Sequence, residues 1–394
     1  MSALDRCFNV ADLRLSAKRR LPRGVFEFVD RGTEDEVGLR HNRAAIEDIK
    51  LLPRVLNDTS SRSPRTELFG KPVTLPLVIA PTGAAGLVWH EGELALARAA
   101  ATMGVPFTLA TGAMTSMEKI AREAGGRLWF QLYLWKERAL SYELVDRARA
   151  NGFEALVVTV DTTVPPNREY NARNGFGLPF HPTARSVIDV ATHPDWFARV
   201  LLKYLTTSGM PRFENHPEGL RTRITGNAHA AETMRQDTLS WDDIGHLRDR
   251  WPGILMVKGV MRGDDALRAV GMGVDGIVVS NHGGRNLDSA AASITALPDV
   301  AQAVGDRATV ILDSGVRRGS DIFKALALGA KAVLTGRATL YGTAVGGQAG
   351  AARALAILRN EFDKTMAYCG VCHVDEITSD LLAGARDRIN ALPV

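Results

Sequence analysis

His282 and Arg285 stand three positions apart in Ser280-Asn281-His282-Gly283-Gly284-Arg285, with only glycine between them. Imidazole is the side chain best placed to take a proton near neutral pH. A guanidinium offers a rigid fork that grips a carboxylate through two hydrogen bonds. A base and a fork on one loop suit proton removal from a hydroxy acid. A lone histidine in a strand is usually structural, and here the glycine spacer and the adjacent arginine argue for chemistry. Asp161, closing Thr159-Val160-Asp161, can orient and charge-stabilise the imidazole. Lys258 lies in Val257-Lys258-Gly259. A lysine buried in a barrel mouth pairs with an anion or shifts its pKa, and a cofactor that delocalises negative charge would be such a partner.

A second group reads as an anion site. Asp313-Ser314-Gly315 is followed by Arg317 and Arg318, and Gly336-Arg337 comes shortly after. Glycines let backbone N–H groups approach an anion and arginines add charge. Either segment alone reads as a turn glycine with solvated arginines. Both together, at the ends of the last two apolar runs, favour phosphate.

These residues need strands to hold them, and the chain supplies eight short apolar runs. They are Leu77–Pro81, Val105–Thr111, Leu128–Tyr133, Ala155–Asp161, Ile254–Val260, Gly276–His282, Thr309–Gly315 and Ala332–Arg337. Runs that are apolar throughout and rich in Val and Ile suit parallel strands buried on both faces. Helical segments separate them: Gly263-Asp264 opens one, Ser320 is placed to cap Asp321–Leu328, and Gly329 to end it. Eight such units predict an α/β fold, a (β/α)8 TIM barrel, with a doubly wound open sheet as runner-up. The expected organisation is a single domain over 1–394. Residues 1–70 form a helical cap over the barrel's bottom. Residues 71–161 and 239–370 form the barrel, and 162–238 a long insertion on the catalytic face. Within it, Asp195–Leu205 reads as an amphipathic helix carrying Trp196, Phe197, Arg199, Lys203 and Tyr204. Such a helix can lie in a membrane interface or fold back on the barrel.

Composition narrows the partners. The net charge is +4 over 394 residues, with no long basic block, so nucleic acid is not an expected partner. Three cysteines make no disulfide framework. No stretch of about 18 apolar residues is present, and Met1–Val10 contains Asp5 and Arg6 without an apolar core. The expected compartment is cytoplasmic or peripheral on a membrane, and no metal site is expected.

SNHGGRNLD, APTG, QLY, TVD, VKG, DSGVRRGSDIFKALALGA and GRATLYG together resemble the FMN-dependent 2-hydroxy-acid oxidase and dehydrogenase family, from Phe8 to about Leu382. The resemblance implies roles. His282 is the base and Asp161 its partner. Arg168 and Arg285 bind the substrate carboxylate, and Tyr133 hydrogen-bonds substrate. Lys258 stabilises negative charge on the reduced flavin. Pro81, Thr82, Gly83, Gln131, Thr159 and Ser280 contact the flavin. Asp313, Gly315, Arg317, Gly336 and Arg337 belong to the phosphate end. Two departures follow. A second substrate tyrosine is expected at the position read as Phe26, and a flavin-proximal serine appears as Ala110. The tryptophan that glycolate-oxidising members hold over the substrate side chain corresponds to Gly112, which opens space for an aromatic group.

The expected reaction is FMN-dependent oxidation of an (S)-2-hydroxy acid, with (S)-mandelate the best guess, to the 2-keto acid. Electrons would pass to a membrane quinone or another acceptor. The resemblance also implies a homotetramer, bound through about 186–226 to the cytoplasmic face of the inner membrane. Open alternatives are an L-lactate dehydrogenase, an oxygen-using oxidase, a flavin-retaining isomerase and a non-enzymatic phosphate-ligand barrel. Carbanion and hydride routes also stay open. Two further patterns carry little. Gly271-Met-Gly273-Val-Asp-Gly276 precedes a strand, so it fails the dinucleotide test. Cys369-Gly-Val-Cys372-His373 has haem-attachment spacing without a haem domain around it.

Overall fold

The computed structural model describes residues 4–177, 180, 182–226 and 237–384. Eight parallel strands close into a barrel: β1 (Leu77–Ile79), β2 (Phe107–Ala110), β3 (Leu128–Leu132), β4 (Ala155–Thr159), β5 (Ile254–Val260), β6 (Gly276–Val279), β7 (Thr309–Leu312) and β8 (Ala332–Thr335). Strand β8 pairs with both β7 and β1, which completes the ring. Each is almost wholly buried, because helices cover the outside and side chains fill the inside. Most end a few residues short of the apolar runs. The polar residues at those C-terminal ends leave the ladder and turn into the mouth.

Two expectations about the surroundings change. Helices α1 (Val10–Arg20), α2 (Arg23–Asp30) and α3 (Val37–Asp48) do not cover the bottom. Their C-terminal parts and connections meet the catalytic end: Thr33 N donates to Gly284 O at 3.0 Å, and the Asn42 amide pairs with that of Asn281. The bottom is closed by a hairpin, Thr66–Leu68 with Lys71–Val73, whose Leu68 and Val73 pack with Trp129, Met256 and Ile311. The hairpin is short and its apolar residues are few, so helical patterning upstream drew the cap to the wrong end. The helix expected to be capped by Ser320 runs Gly319–Ala327 with Arg318 at its N-cap. Asp321 carboxylate oxygen accepts from the Arg317 and Arg318 N–H groups and takes the capping part. Gly329, at φ +101°, follows the helix end as expected.

The insertion between β4 and β5 includes helices Glu169–Arg173 and Ala184–Ala191. A helical run from Pro194 to Thr207 follows, π-helical over Phe197–Leu202. The rest of the expected span, residues 178, 179, 181 and 227–236, lies outside the described residues. Among described residues no helix is long and apolar enough to cross a membrane.

Candidate active site

One cavity at the C-terminal ends of the strands gathers almost every residue singled out above. Pro81, Thr82, Gly83, Ala110, Gly112, Gln131, Tyr133, Thr159, Arg168, Lys258, His282, Arg285, Asp313, Gly315, Arg317, Gly336 and Arg337 all line it. Asp161 and Ser280 do not. They stand one hydrogen bond behind the wall, and each holds a residue that does.

His282 follows β6 with φ +59°, a left-handed backbone that a side chain with a Cβ rarely adopts. Its N–H donates to Ser280 Oγ at 3.0 Å, and Gly283 N donates to Ser314 Oγ at 2.9 Å. Gly284 has φ +69°, and a Cβ there would lie 2.4 Å from Leu39 N. The glycines therefore let α3 press directly on the loop that aims the histidine. Such strain, held by surrounding bonds, is common where a side chain must be aimed.

His282 Nδ1 lies 2.9 Å from Asp161 Oδ1. Burial pushes the imidazole pKa down, and the opposing pull of Asp161 does not fully offset it. Burial pushes the Asp161 carboxyl up, but His282 and Lys258 outweigh it and the carboxyl is held below its ordinary range. An ionised Asp161 keeps the proton on Nδ1, which leaves Nε2 as the free acceptor. Tyr133 Oη lies 3.4 Å from that nitrogen. Burial and Asp161 raise the phenol pKa, so Tyr133 stays a donor.

Beside the base stand two half-buried guanidinium groups. Burial lowers both, and Arg168 also lowers Arg285, to about 10. Arg285 donates to Arg31 O at 2.9 Å and lies over the Phe28 ring, while Arg168 Nε has no partner among the described residues. Two neighbouring cations, one lowering the pKa of the other in a half-buried wall, suit an anion between them. Phe28 and Val29 line this wall. Phe26 does not: it packs under Arg14 on the far side of α2. Two residues along a helix is about 200° of rotation, so the sequence register placed the aromatic on the wrong face. The residue that stands at the expected substrate position is Phe28.

Lys258 is held differently. Its ammonium lies 2.8 Å from Asp313 Oδ2 and donates to Ser280 Oγ at 2.9 Å. Ser280 in turn donates to Asp313 at 2.6 Å. Burial pulls the lysine down, yet Asp313 and Asp161 outweigh it and the net direction is up. Ser280, expected at the flavin, instead ties the lysine, the aspartate and the His282 backbone together.

At the other end of the cavity, the helix beginning at Arg337 has Gly336 as N-cap and no side-chain cap. Its first-turn N–H groups are open to an anion. Arg317 is half-buried, its pKa pulled down to about 10 chiefly by desolvation. Arg337 has a second task besides lining the cavity. Its guanidinium donates to Val29 O, Gly283 O and Arg31 O at 2.9–3.0 Å, so it braces α2 against the His282 loop. Its backbone N–H and the two guanidinium N–H groups not used in these bonds remain for phosphate. Ser314, at φ +91°, and Leu334, Thr335 and Leu340 also line the cavity. Sequence reasoning missed them, and only the strand-end position of Ser314 offered a signal.

The description "FMN-dependent dehydrogenase" belongs to the family model matching residues 17–384. The chain belongs to that family. It is 40% identical over 379 residues to the (S)-mandelate dehydrogenase of Pseudomonas putida, covering 95% of this chain and 93% of that one. It is 41% identical over 389 residues to an L-lactate oxidase of Nostoc sp., covering 97% and 100%. A crystal structure of the monotopic membrane protein (S)-mandelate dehydrogenase superposes with a TM-score of 0.90 at 39% identity, over 96% of this chain and 99% of that one. The chain is thus a flavoenzyme of the 2-hydroxy-acid dehydrogenase type. The cavity fits FMN: a cationic, N–H-rich end at Gly315, Arg317 and Gly336, apolar walls from Ala80, Pro81, Ala110 and Leu334, and a buried ammonium at Lys258.

Proposed function

We propose that this enzyme oxidises an (S)-2-hydroxy acid with an aromatic group on the hydroxyl-bearing carbon, (S)-mandelate above all, to the 2-keto acid. The site roles are part of that reading. Arg168 and Arg285 hold the carboxylate, Tyr133 donates to the substrate, and His282 Nε2 takes a substrate proton while Asp161 stabilises the resulting imidazolium. Bound FMN supplies the two-electron acceptor, with Lys258 placed to balance added negative charge.

The observation carrying the aromatic assignment is at Gly112. It lines the cavity, and a Cβ built there would meet only Gly83 Cα, at 3.9 Å. Phe28 adds an apolar face at the same mouth. A phenyl ring leaving water for this space gains on the order of 2 kcal/mol. The test compares kcat/KM for mandelate, lactate and glycolate, then repeats it with Gly112→Trp. Mandelate should be preferred, and the tryptophan variant should lose mandelate turnover selectively. Lactate as the better substrate of the unaltered enzyme would overturn the aromatic assignment.

The proposed acceptor is a membrane quinone, and the proposed location is the membrane surface. The helical run Pro194–Thr207 supports this. Trp196, Val200 and Tyr204 are buried, while Phe197, Leu202 and Leu205 are exposed and join exposed Val187 and Ile188 of the preceding helix. Exposed Arg199 and Lys203 suit anionic headgroups.

A further inference from the structure

Trp196, Val200 and Tyr204 recur every four residues, which puts them on one helix face. That face does not close completely onto the barrel. Between it, the start of α2 and the chain around Phe176 lies a second cavity of about 260 Å³, against about 220 Å³ for the catalytic one. Val25, Phe176, Val190, Trp196, Val200 and Ile224 are among its walls.

Most polar side chains of this wall are already engaged. Trp196 Nε1 donates to Leu87 O at 2.7 Å. The Tyr204 hydroxyl accepts from Glu91 N at 3.0 Å. Asn174 Nδ2 donates to Glu27 at 2.7 Å. A lining of this kind offers rings and methyl groups and little to fix a carbonyl, carboxylate or phosphate. It matches a hydrocarbon chain.

Position supplies the rest. Val187 both lines the cavity and is 58% exposed, so the cavity opens to the surface there, beside exposed Ile188. At its inner end, the Phe176 ring lies 5.6 Å from that of Phe28, which lines the catalytic cavity. Two aromatic rings, tilted at 54° to each other, thus stand between the two cavities.

We infer that this cavity takes the single hydrocarbon chain of a membrane amphiphile, entering beside Val187 and ending against Phe176. The inference rests on the reading of this insertion as the membrane-facing surface. The chain has two natural sources, the isoprenoid tail of a quinone and the acyl chain of a lipid.

The test uses the flavin-loaded full chain and cis-parinaric acid, a fluorescent straight-chain fatty acid, excited by energy transfer from tryptophan. The unaltered enzyme should bind it saturably. Val190→Phe, at the rim, and Val200→Phe, deeper in, should each weaken binding by about tenfold or more. Flavin content and the rate of flavin reduction by hydroxy acid should be unchanged in both, which controls for misfolding. Absence of saturable binding, or equal binding by a correctly folded filled variant, would overturn the inference. A raised KM for a tailed quinone, with a tail-less quinone unaffected, would identify the isoprenoid source. Unchanged quinone kinetics with weaker pelleting on anionic vesicles would identify the lipid chain. Vesicle binding that persists without parinaric acid binding removes the cavity inference and leaves the membrane reading intact. The converse removes the membrane reading and leaves an apolar-ligand site.

Discussion

Two base–carboxylate pairs serve the same cavity, one with its carboxylate, Asp161, just behind the wall, and their protonation runs in opposite directions. Asp313–Lys258 is buried and Asp161–His282 mostly so, and both pairs lie within 2.9 Å. Burial wins at His282, whose pKa falls, so the imidazole stays neutral and able to accept a proton. At Lys258 two carboxylates outweigh burial, and the ammonium stays charged. The difference lies in the surroundings. Lys258 feels Asp313 and Asp161 strongly, whereas His282 is drawn chiefly by Asp161 and is opposed by Lys258 and Arg168. One pair is set to move a proton and the other to hold a charge still.

The sharpest way to break this division is His282→Ala. Flavin should stay bound while turnover falls by roughly a hundredfold to ten-thousandfold, the usual range for a general base. Normal reduction of the flavin by hydroxy acid in a stopped-flow trace would remove the base assignment.

Lys258→Met tests the charged pair through stability as well as rate. It leaves the Asp313 carboxylate buried without its cation, which should cost about 3–5 kcal/mol in chemical denaturation. Adding Asp313→Leu should restore much of that, because the uncompensated charge is gone. If the single variant is as stable as the parent, the lysine is not held as a buried cation.

Arg285→Lys should raise KM for the hydroxy acid about tenfold with little change in kcat, since one charge-assisted hydrogen bond of the fork is lost. A fall in kcat at unchanged KM would move Arg285 from binding to chemistry.

The smallest effect is on the pH profile. Protonation of His282 removes the base, so kcat/KM should fall as pH drops through a value below the ordinary 6.5. Asp161 raises the His282 pKa, so Asp161→Asn should move the acid limb to lower pH while weakening the base. An acid limb that moves upward would contradict the pairing.

Much of this was legible in the chain. All eight strands were visible as buried apolar runs, because parallel strands covered on both faces leave a continuous signal. The site residues were visible because they sit just past the ends of those runs. What failed was of another kind. Phe26 and Phe28 are alike in type and differ only in which side of α2 they occupy. The hairpin at the barrel's bottom is too short to outweigh the helical pattern before it. The bracing by Arg337 was also hidden, because nothing in sequence shows three carbonyls meeting its guanidinium.

The sequence by itself determined the barrel, the family and the set of groups able to do chemistry, since these follow from periodicity and from residues at strand ends. Tertiary structure decided which groups face the cavity and which stand behind it. It turned Arg337 and Ser280 into braces and put Phe28 at the mouth. It also set opposite charge states for His282 and Lys258. The reason is that burial and the distance to each neighbouring charge fix a pKa, and both arise only when segments as far apart as Asp161 and His282 are brought within 2.9 Å.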